Sequence, residues 1–379
     1  MIYFDNGATT RPYKEVLELI SKLSYEEFGN PSSLHSLGVR AERVLEDSRK
    51  QIAETIKAGQ DEIIFTSGGT EAINMALRGS AEALKRCGKH ILSTPIEHSA
   101  SLESLKFLQS TGYEVEMLHV DSFGMIDLDD LKSKLRQDTI LVNIMMVNNE
   151  VGSIEPVIDA GHIIKSFNSG INFHVDAVQA YGKTIINTKN LKADLLSFSA
   201  HKIHGPKGVG MLYIRSGTKI HPIMSGGSQE RQLRPGTVNV PGIAGFARAA
   251  VKKTANMDQD NHIIKKVREK LVFELQQRLS DKIRINSPHN SLPGILNISF
   301  STVKSEVILH ALELKEIYVS SGSACSSKKQ TVSHVIKAMH VPPPWSDGAI
   351  RFSFSGENTE KEAVICAETL HDIVNTFRI

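Results

Sequence analysis

The sequence predicts a large α/β domain with a mostly parallel sheet, followed by a smaller α+β domain. The first observation behind this prediction is that helical and strand patterns alternate over the first two-thirds of the 379 residues. The second is that the helical segments run to about 10–15 residues, which suits crossovers that cover both faces of a parallel sheet. The third is that the alternation ends near Ala249, after which a long amphipathic helix follows.

Seven segments in the first two-thirds have the short apolar or β-branched character of strands. In chain order they are 62–66, 90–94, 113–118, 140–147, 171–175, 194–198 and 210–214. Helical periodicity precedes the first of them, at 38–57, and lies between the earlier ones at 70–85, 99–108, 128–135 and 157–167. A seven-stranded sheet covered by helices is therefore the predicted core.

The remaining third reads as a second domain. Apolar residues mark one face of a long helix at Ile264, Val267, Leu271, Leu275 and Leu279. Strand candidates follow at 295–300 and 350–354, and the segment 1–4 could pair into this domain. We predict a large domain over 12–250 and a small one formed by 1–11 and 251–379, which carries the Gly/Ser-rich loop 320–327.

Composition excludes several classes of function. The chain has 44 lysines and arginines against 42 aspartates and glutamates, a net charge of +2, so no direct binding of nucleic acid is expected. No apolar stretch approaches the roughly 18 residues of a membrane span, and the N-terminus lacks a signal-peptide pattern. Three cysteines, Cys87, Cys325 and Cys366, without a C-x-x-C pair favour a reducing compartment. We expect a soluble cytoplasmic enzyme without a membrane partner.

Polar and titratable residues follow five of the predicted strands. The segments 66–71, 95–98, 148–150, 176–179 and 199–202 begin where those strands end. Because ligands of open α/β sheets bind beyond the carboxyl ends of the strands, this convergence predicts a catalytic site. In the first segment, Ser67-Gly-Gly-Thr70 suits a bound phosphate, although a glycine turn with Thr70 as helix N-cap explains it equally well.

Two of these strand ends favour pyridoxal phosphate chemistry. Lys202 follows an apolar strand, and a lysine in that position suits a Schiff base. Asp176 ends another apolar strand, where a carboxylate could pair with the pyridinium nitrogen and Gln179 could reach the phenolic oxygen. A helix cap is the alternative for Asp176, and a packed core histidine is the alternative for His98. No histidine spacing completes a metal site.

A set of motifs resembles one enzyme family. It includes Ser199-Ala-His-Lys202 and Ser321-Gly-Ser-Ala-Cys325, with further matches at 5–10, 28–33, 67–71, 97–98, 147–150, 175–179, 234–239 and 350–353. Together these resemble the NifS/IscS group of cysteine desulfurases, in the class V family of pyridoxal-phosphate-dependent aminotransferases. The resemblance implies a fold-type-I PLP-dependent transferase, a homodimer, pyridoxal 5'-phosphate as cofactor, L-cysteine as substrate and a persulfide product.

The resemblance also implies roles for individual residues. Lys202 matches the lysine that binds the cofactor covalently, Cys325 the nucleophile that takes the sulfur, and His98 the histidine that stacks on the ring and handles protons. Cofactor contacts are implied for Gly69, Thr70, His98, Asn149, Asp176, Gln179, Ser199, His201, Lys202 and, from the neighbouring subunit, Thr237. Asn149 and Arg351 match the clamp on the substrate carboxylate, and no residue matches a metal ligand.

Other functions stay open at this point. A simple aminotransferase would leave Cys325 without a role, whereas selenocysteine lyase activity could use the same residues. A catalytically retired scaffold would have no need of Lys202, Asp176 and Cys325. A serine hydrolase built on Ser199 lacks the G-x-S-x-G motif. The sequence implies a sulfur-acceptor protein, either an iron–sulfur scaffold or a tRNA thiolation enzyme, without identifying which.

Overall fold

The computed structural model of the chain describes residues 1–322 and 332–377. The helices are α1 Lys14–Glu26, α2 Ser36–Thr55, α3 Gly69–Leu84, α4 Ser99–Ser110, α5 Leu128–Lys134, α6 Val157–Phe167, α7 Thr188–Leu191, α8 Val240–Ala255, α9 Met257–Leu279, α10 Ser305–Glu313, α11 His334–Ala338 and α12 Glu360–Thr376. None of the helices in these ranges is long and apolar enough to cross a membrane.

The strands form three sheets within the described ranges. They are β1 Ile2–Tyr3, β2 Ile63–Thr66, β3 His90–Ser93, β4 Glu114–Met117, β5 Thr139–Met145, β6 Asn172–Asp176, β7 Leu195–Ser199, β8 Gly210–Ile214, β9 Ile283–Ile285, β10 Ile295–Phe300, β11 Ile317–Tyr318, β12 Ser320–Ser321 and β13 Ala349–Ser353. The largest sheet has seven strands, ordered β2-β8-β7-β6-β5-β3-β4.

The seven-stranded sheet confirms the predicted α/β architecture. Strands β7, β6, β5, β3 and β4 run parallel, while β8 is antiparallel to both of its neighbours, β7 and β2. All residues of β5, β6 and β7 are buried, because helices lie on both faces of the sheet. The carboxyl ends of β3, β5, β6 and β7 consequently meet at one edge, where the predicted site residues begin.

A second core surrounds the predicted amphipathic helix. The five apolar residues predicted to share one face of α9 are all buried against an antiparallel sheet ordered β12-β13-β10-β9 and against α12. Strand β1 pairs in parallel with β11, so residues 2–3 are hydrogen-bonded to this part of the fold. The domain boundaries at 11/12 and 250/251 stay a prediction.

The segment that follows β1 connects the two parts of the molecule. The backbone N–H of Gly7 donates to the Ser353 Oγ at 2.7 Å, beside the antiparallel sheet. Three residues later, the N–H of Thr10 donates to the His201 carbonyl at 2.9 Å, just after β7. The segment 5–10 therefore crosses the edge of the large sheet at the place where Lys202 lies.

Candidate active site

A cavity of about 610 Å³ opens at the carboxyl ends of the parallel strands. Its lining brings together ten of the residues that the sequence analysis selected. They are Gly69, Thr70, His98, Asn149, Asp176, Gln179, Ser199, His201, Lys202 and Arg351. Residues 320–322 and 332–334 also line the cavity.

One end of the cavity is built for an anion. Helix α3 begins at Gly69, directly after β2, so the free N–H groups and the positive dipole end of a helix of 16 residues point to this end. A Cβ atom at Gly69 would lie 2.9 Å from Val178 Cγ2, which explains the glycine there. Thr70, Ser199 and His201 also line this end of the cavity. The donor set is that of a phosphate site.

Lys202 lies in a short 3₁₀ turn after β7, over the segment 5–10. Its Nζ donates to the carbonyl oxygens of Gly7 at 2.6 Å and Ala8 at 2.7 Å. The adjacent His201 is neutral near pH 7, because burial and then the charges of Lys202, Lys207 and Lys183 lower its pKa to about 4. The amine is therefore held at the cavity by two oxygens that a competing ligand can replace.

Asp176 supplies a buried carboxylate at the end of β6. Its Oδ1 accepts from the N–H of Val178 at 2.9 Å, and burial raises its pKa to about 6 despite the opposing effects of that bond and of Lys202. A carboxylate held away from water in this way gains most from a cationic partner. Two residues earlier, His174 has both ring nitrogens bonded, to Asn143 and Ser197, and is a core residue.

His98 caps the next helix and lines the cavity with the rest of its ring. Its Nδ1 accepts the N–H of Ala100 at 3.1 Å at the start of α4, so the ring hydrogen is on Nε2. Burial, followed by the charges of Lys202, His334 and Arg351, lowers its pKa to about 4. At neutral pH the ring is uncharged, and it can both stack and exchange a proton.

Polar residues at the opposite end suit a carboxylate. Arg351 on β13 is buried; its Nη1 donates to the Asn149 carbonyl at 2.9 Å and its Nη2 to Asp5 Oδ1 at 2.8 Å. Its Nε is buried without a hydrogen-bond partner among the described residues. Two hydrogen bonds hold the guanidinium in place, and it keeps a further N–H donor. It is therefore a suitable partner for an anionic ligand.

Glu97, directly before His98, is a fully buried carboxyl whose protonation the sequence analysis did not anticipate. Its Oε1 accepts from the N–H of Met145 at 2.7 Å and from the Thr94 hydroxyl at 2.8 Å, while Oε2 is buried without a partner among the described residues. Burial, and then the charge of Asp176, raises the pKa of Glu97 to about 8. The folded protein therefore holds this carboxyl protonated at neutral pH.

The change Glu97→Gln tests this protonation through the stability of the apoprotein. Between pH 4.5 and about 8 the folded state binds a proton that the unfolded state releases, so wild-type stability falls as pH rises through this window. The glutamine amide of the variant does not titrate, so the variant does not lose this stability as pH rises. We expect Glu97→Gln to gain about 3 kcal/mol on wild type between pH 5 and pH 8 in urea unfolding. Equal differences at both pH values, or the same behaviour in exposed Glu103→Gln, would contradict the assignment.

Not all of the predicted residues meet at the cavity. Thr237 is exposed and does not line it, and Cys325 lies outside the described residues. Conversely, Glu150 and His334 line the cavity without having been singled out, and Lys183 bonds to a residue that does. Glu150 stood within the matched segment 147–150, whereas the only sequence signal for Lys183 is its spacing of four from Gln179.

These features fit pyridoxal phosphate. The cavity combines a helix N-terminus for the phosphate, an accessible lysine amine, a desolvated carboxylate suited to a pyridinium nitrogen and a neutral histidine. In the described part of the chain, no group of three or more histidine, cysteine or acidic side chains is placed to hold a metal ion. The residues present therefore suit an organic cofactor with a phosphate group.

Comparisons with known proteins agree with this geometry. The model of the aminotransferase class-V family matches residues 2–364. The cysteine desulfurase IscS of Dictyoglomus turgidum is 46% identical over 378 residues, covering 100% of this chain and 95% of that protein. The solved structure of a NifS-like protein has a TM-score of 0.93 and 40% identity, covering 99% of both chains. SspA, solved in complex with cysteine, has a TM-score of 0.81 and 31% identity, covering 93% of this chain and 99% of its own.

Fold and sequence thus agree over essentially the full length of both the relative and the solved structures. The matched family depends on pyridoxal phosphate, which is the cofactor that the cavity suits. The chain belongs to the class-V aminotransferase family of pyridoxal-phosphate-dependent enzymes.

Proposed function

We propose that this chain is a cysteine desulfurase that converts L-cysteine into L-alanine and a persulfide on Cys325. The observation that carries the proposal is the cavity itself, where Lys202, Asp176 and Arg351 converge with the phosphate end of α3. Gly322 and Val332 line the same cavity, and Cys325 lies between them in the sequence. The names of the relatives support the same activity.

The reaction balances without an external oxidant. The thiolate of Cys325 attacks the sulfur of L-cysteine, a sulfur–sulfur bond forms, and the carbon–sulfur bond breaks. The electron pair of that bond stays with the substrate carbon, which takes up one proton to become the methyl group of L-alanine. Both sulfur atoms end in the persulfide, which is a reversible cap on the protein.

The residues that line the cavity have separate roles in the rest of the reaction. Bound pyridoxal phosphate supplies an electron sink that stabilises the negative charge developing on the substrate carbons. The Arg351 guanidinium, with Asn149, binds the substrate carboxylate and so fixes the orientation of the amino acid. His98, neutral and protonated on Nε2, and the Lys202 amine exchange protons with the substrate. Asp176 would pair with the pyridinium nitrogen of the bound cofactor.

The products test the function. The purified holoprotein, incubated with L-cysteine and a thiol reductant, is expected to release alanine and sulfide in equal amounts. D-cysteine serves as the control, since Arg351 holds the carboxylate of one enantiomer in the productive orientation. If cysteine is consumed only when a keto acid is added, and no alanine forms from it, the protein is an aminotransferase instead. Release of selenide from selenocysteine, without sulfide from cysteine, would identify a selenocysteine lyase.

Thr237 supports a homodimer. It is exposed and lies five residues after a turn in which Glu230, Arg231 and Gln232 all have positive φ values. Such strained backbone persists only where its surroundings fix it, and here the buried Glu230 carboxylate pairs with Arg49 at 2.7 Å. A rigid turn that presents an exposed threonine suits a contact with the cofactor phosphate of a second subunit.

The dimer proposal predicts that removal of the Thr237 hydroxyl weakens cofactor binding without dissociating the dimer. Thr237→Val removes one hydroxyl contact to the phosphate, so we expect cofactor affinity to fall about tenfold while the dimer persists in sedimentation. Thr218→Val, which lies away from the cavity, is the matched control. A stable monomer with full cofactor affinity and activity would overturn the assignment.

The persulfide needs an acceptor protein, because the enzyme can turn over again only after the sulfur has been passed on. An iron–sulfur scaffold or a tRNA thiolation enzyme is proposed for this role, in the reducing cytoplasm that the low cysteine content favours. Proteins that take labelled sulfur from the loaded enzyme, captured from a cell extract, would identify the acceptor.

A further inference from the structure

Lys183 lies next to the cavity, and its side chain forms a hydrogen bond with Gln179, which lines it. Its Nζ donates to Gln179 Oε1 at 3.0 Å. The turn between them is compact: the N–H groups of Ala180 and Lys183 donate to the carbonyls of Ala177 and Ala180. With a spacing of four, the two side chains lie on the same side of this turn.

We propose that Lys183 is a positioning residue that fixes the Gln179 amide with its Nε2 donor toward the phenolic oxygen of the cofactor. The inference rests on the proposed function for the identity of that oxygen. Lys183 has no role in the motif resemblance and does not line the main cavity.

The orientation follows from hydrogen-bond chemistry. The oxygen and nitrogen of an amide are nearly equal in size, so their partners decide which way the group faces. A lysine ammonium group has three donors and no acceptor, and therefore it selects the oxygen. The Nε2 of Gln179 then faces the opposite way, where it donates to the Gly7 carbonyl at 3.0 Å.

That carbonyl also places the donor beside the reactive amine. The Lys202 Nζ donates to the same Gly7 oxygen at 2.6 Å, so the Gln179 amide nitrogen and the Lys202 amine converge on one atom. In pyridoxal phosphate the phenolic oxygen is attached next to the carbon that carries the aldehyde. A donor that lies beside the amine is accordingly close to that oxygen once the cofactor is bound, whereas a flipped amide would present an acceptor to it.

The surroundings keep Lys183 in place. Burial, and then the charges of Lys202, Lys253 and Arg351, lower its pKa to about 7, so the ammonium form, which has donors only and selects the amide oxygen, predominates below that pH. Its carbonyl accepts from Asn261 Nδ2 at 2.9 Å on α9. The preceding Gly182 has φ of 66°, and a Cβ atom there would lie 2.6 Å from Lys253 Cγ, so only glycine fits this turn.

A double-mutant cycle on cofactor binding tests the proposal. The apoprotein is titrated with pyridoxal phosphate, and the pH midpoint of the visible absorbance band is recorded for the loaded protein. We expect Lys183→Met to weaken binding about tenfold and to raise that midpoint by about one pH unit. In a Gln179→Ala background the same change should alter binding less than twofold, because Lys183 acts through Gln179.

The controls separate positioning from folding. Lys183→Gln, which keeps an N–H donor, should recover most of the lost affinity, and exposed Lys189→Met should bind as wild type does. Thermal unfolding of each apoprotein checks that the fold persists. Additive effects in the cycle, or wild-type binding and midpoint in Lys183→Met, would overturn the proposal. Because the readouts involve no cysteine, a failure of desulfurase activity would leave the cycle interpretable.

Discussion

Replacing Lys202 by alanine is expected to lower alanine formation from L-cysteine to below about one-thousandth of the wild-type rate. The variant loses both the amine that bonds the cofactor and a group that exchanges protons with the substrate. Phosphate contacts at the start of α3 and the Asp176 carboxylate remain, so the cofactor is expected to bind reversibly and without the lysine bond. Lys189→Ala, in α7, is the matched control.

Borohydride reduction gives this prediction an independent readout. In the wild type, reduction should fix the cofactor to the peptide that contains Lys202, as mass spectrometry of a digest would detect. In Lys202→Ala no peptide should carry it. Attachment to Lys183 or Lys253, which lie close to Lys202, or near-normal turnover of the variant, would show that the reactive amine has been wrongly assigned.

The change Cys325→Ser is expected to separate cofactor chemistry from sulfur transfer. The cofactor residues of the described structure are far from Cys325 in sequence, so the variant should keep its visible colour and shift its absorbance when L-cysteine binds. A serine hydroxyl stays protonated at neutral pH and cannot take up the sulfur. We expect no protein-bound persulfide and less than about one-hundredth of the wild-type sulfide release.

The other two cysteines provide the comparison. Cys366 is buried in α12, where burial raises the pKa of its thiol, so it is a packed core residue. Cys87 is exposed, so Cys87→Ala should change neither stability nor turnover appreciably. Wild-type sulfide production by Cys325→Ser would reject the desulfurase proposal in favour of another lyase or an aminotransferase.

Periodicity and strand ends were sufficient to predict much of the fold. The segment 295–300 coincides with β10, and the predicted helix at 157–167 coincides with α6, because both have strong apolar patterns and clear ends. The antiparallel direction of β8 was not predicted, since strand direction depends on the path of the connection rather than on composition. Helix α1 was also missed, although Val16, Ile20 and Leu23 have helical spacing; only Val16 and Leu23 of its residues are fully buried.

The site was predictable where residues follow strands, and less so where contacts are distant in sequence. Asp176 and Lys202 were selected because each directly follows an apolar strand. Glu97, although inside a matched segment, acquires its raised pKa from burial that only the folded core creates. Lys183 acts on a neighbour rather than on the cavity, and no periodic pattern marks such a residue.

The path of the segment 5–10 has a consequence for how the protein matures in a cell. The pairs Gly7–Ser353 and Asp5–Arg351 each join residues 346 positions apart. During synthesis the early strands can fold as they emerge, but these contacts must wait until almost the entire chain has left the ribosome. The carbonyls that hold the Lys202 amine are therefore among the last groups to reach their places. We therefore expect the cofactor to bind after translation. A nascent chain stalled before β13 lacks the contacts that complete the cofactor site.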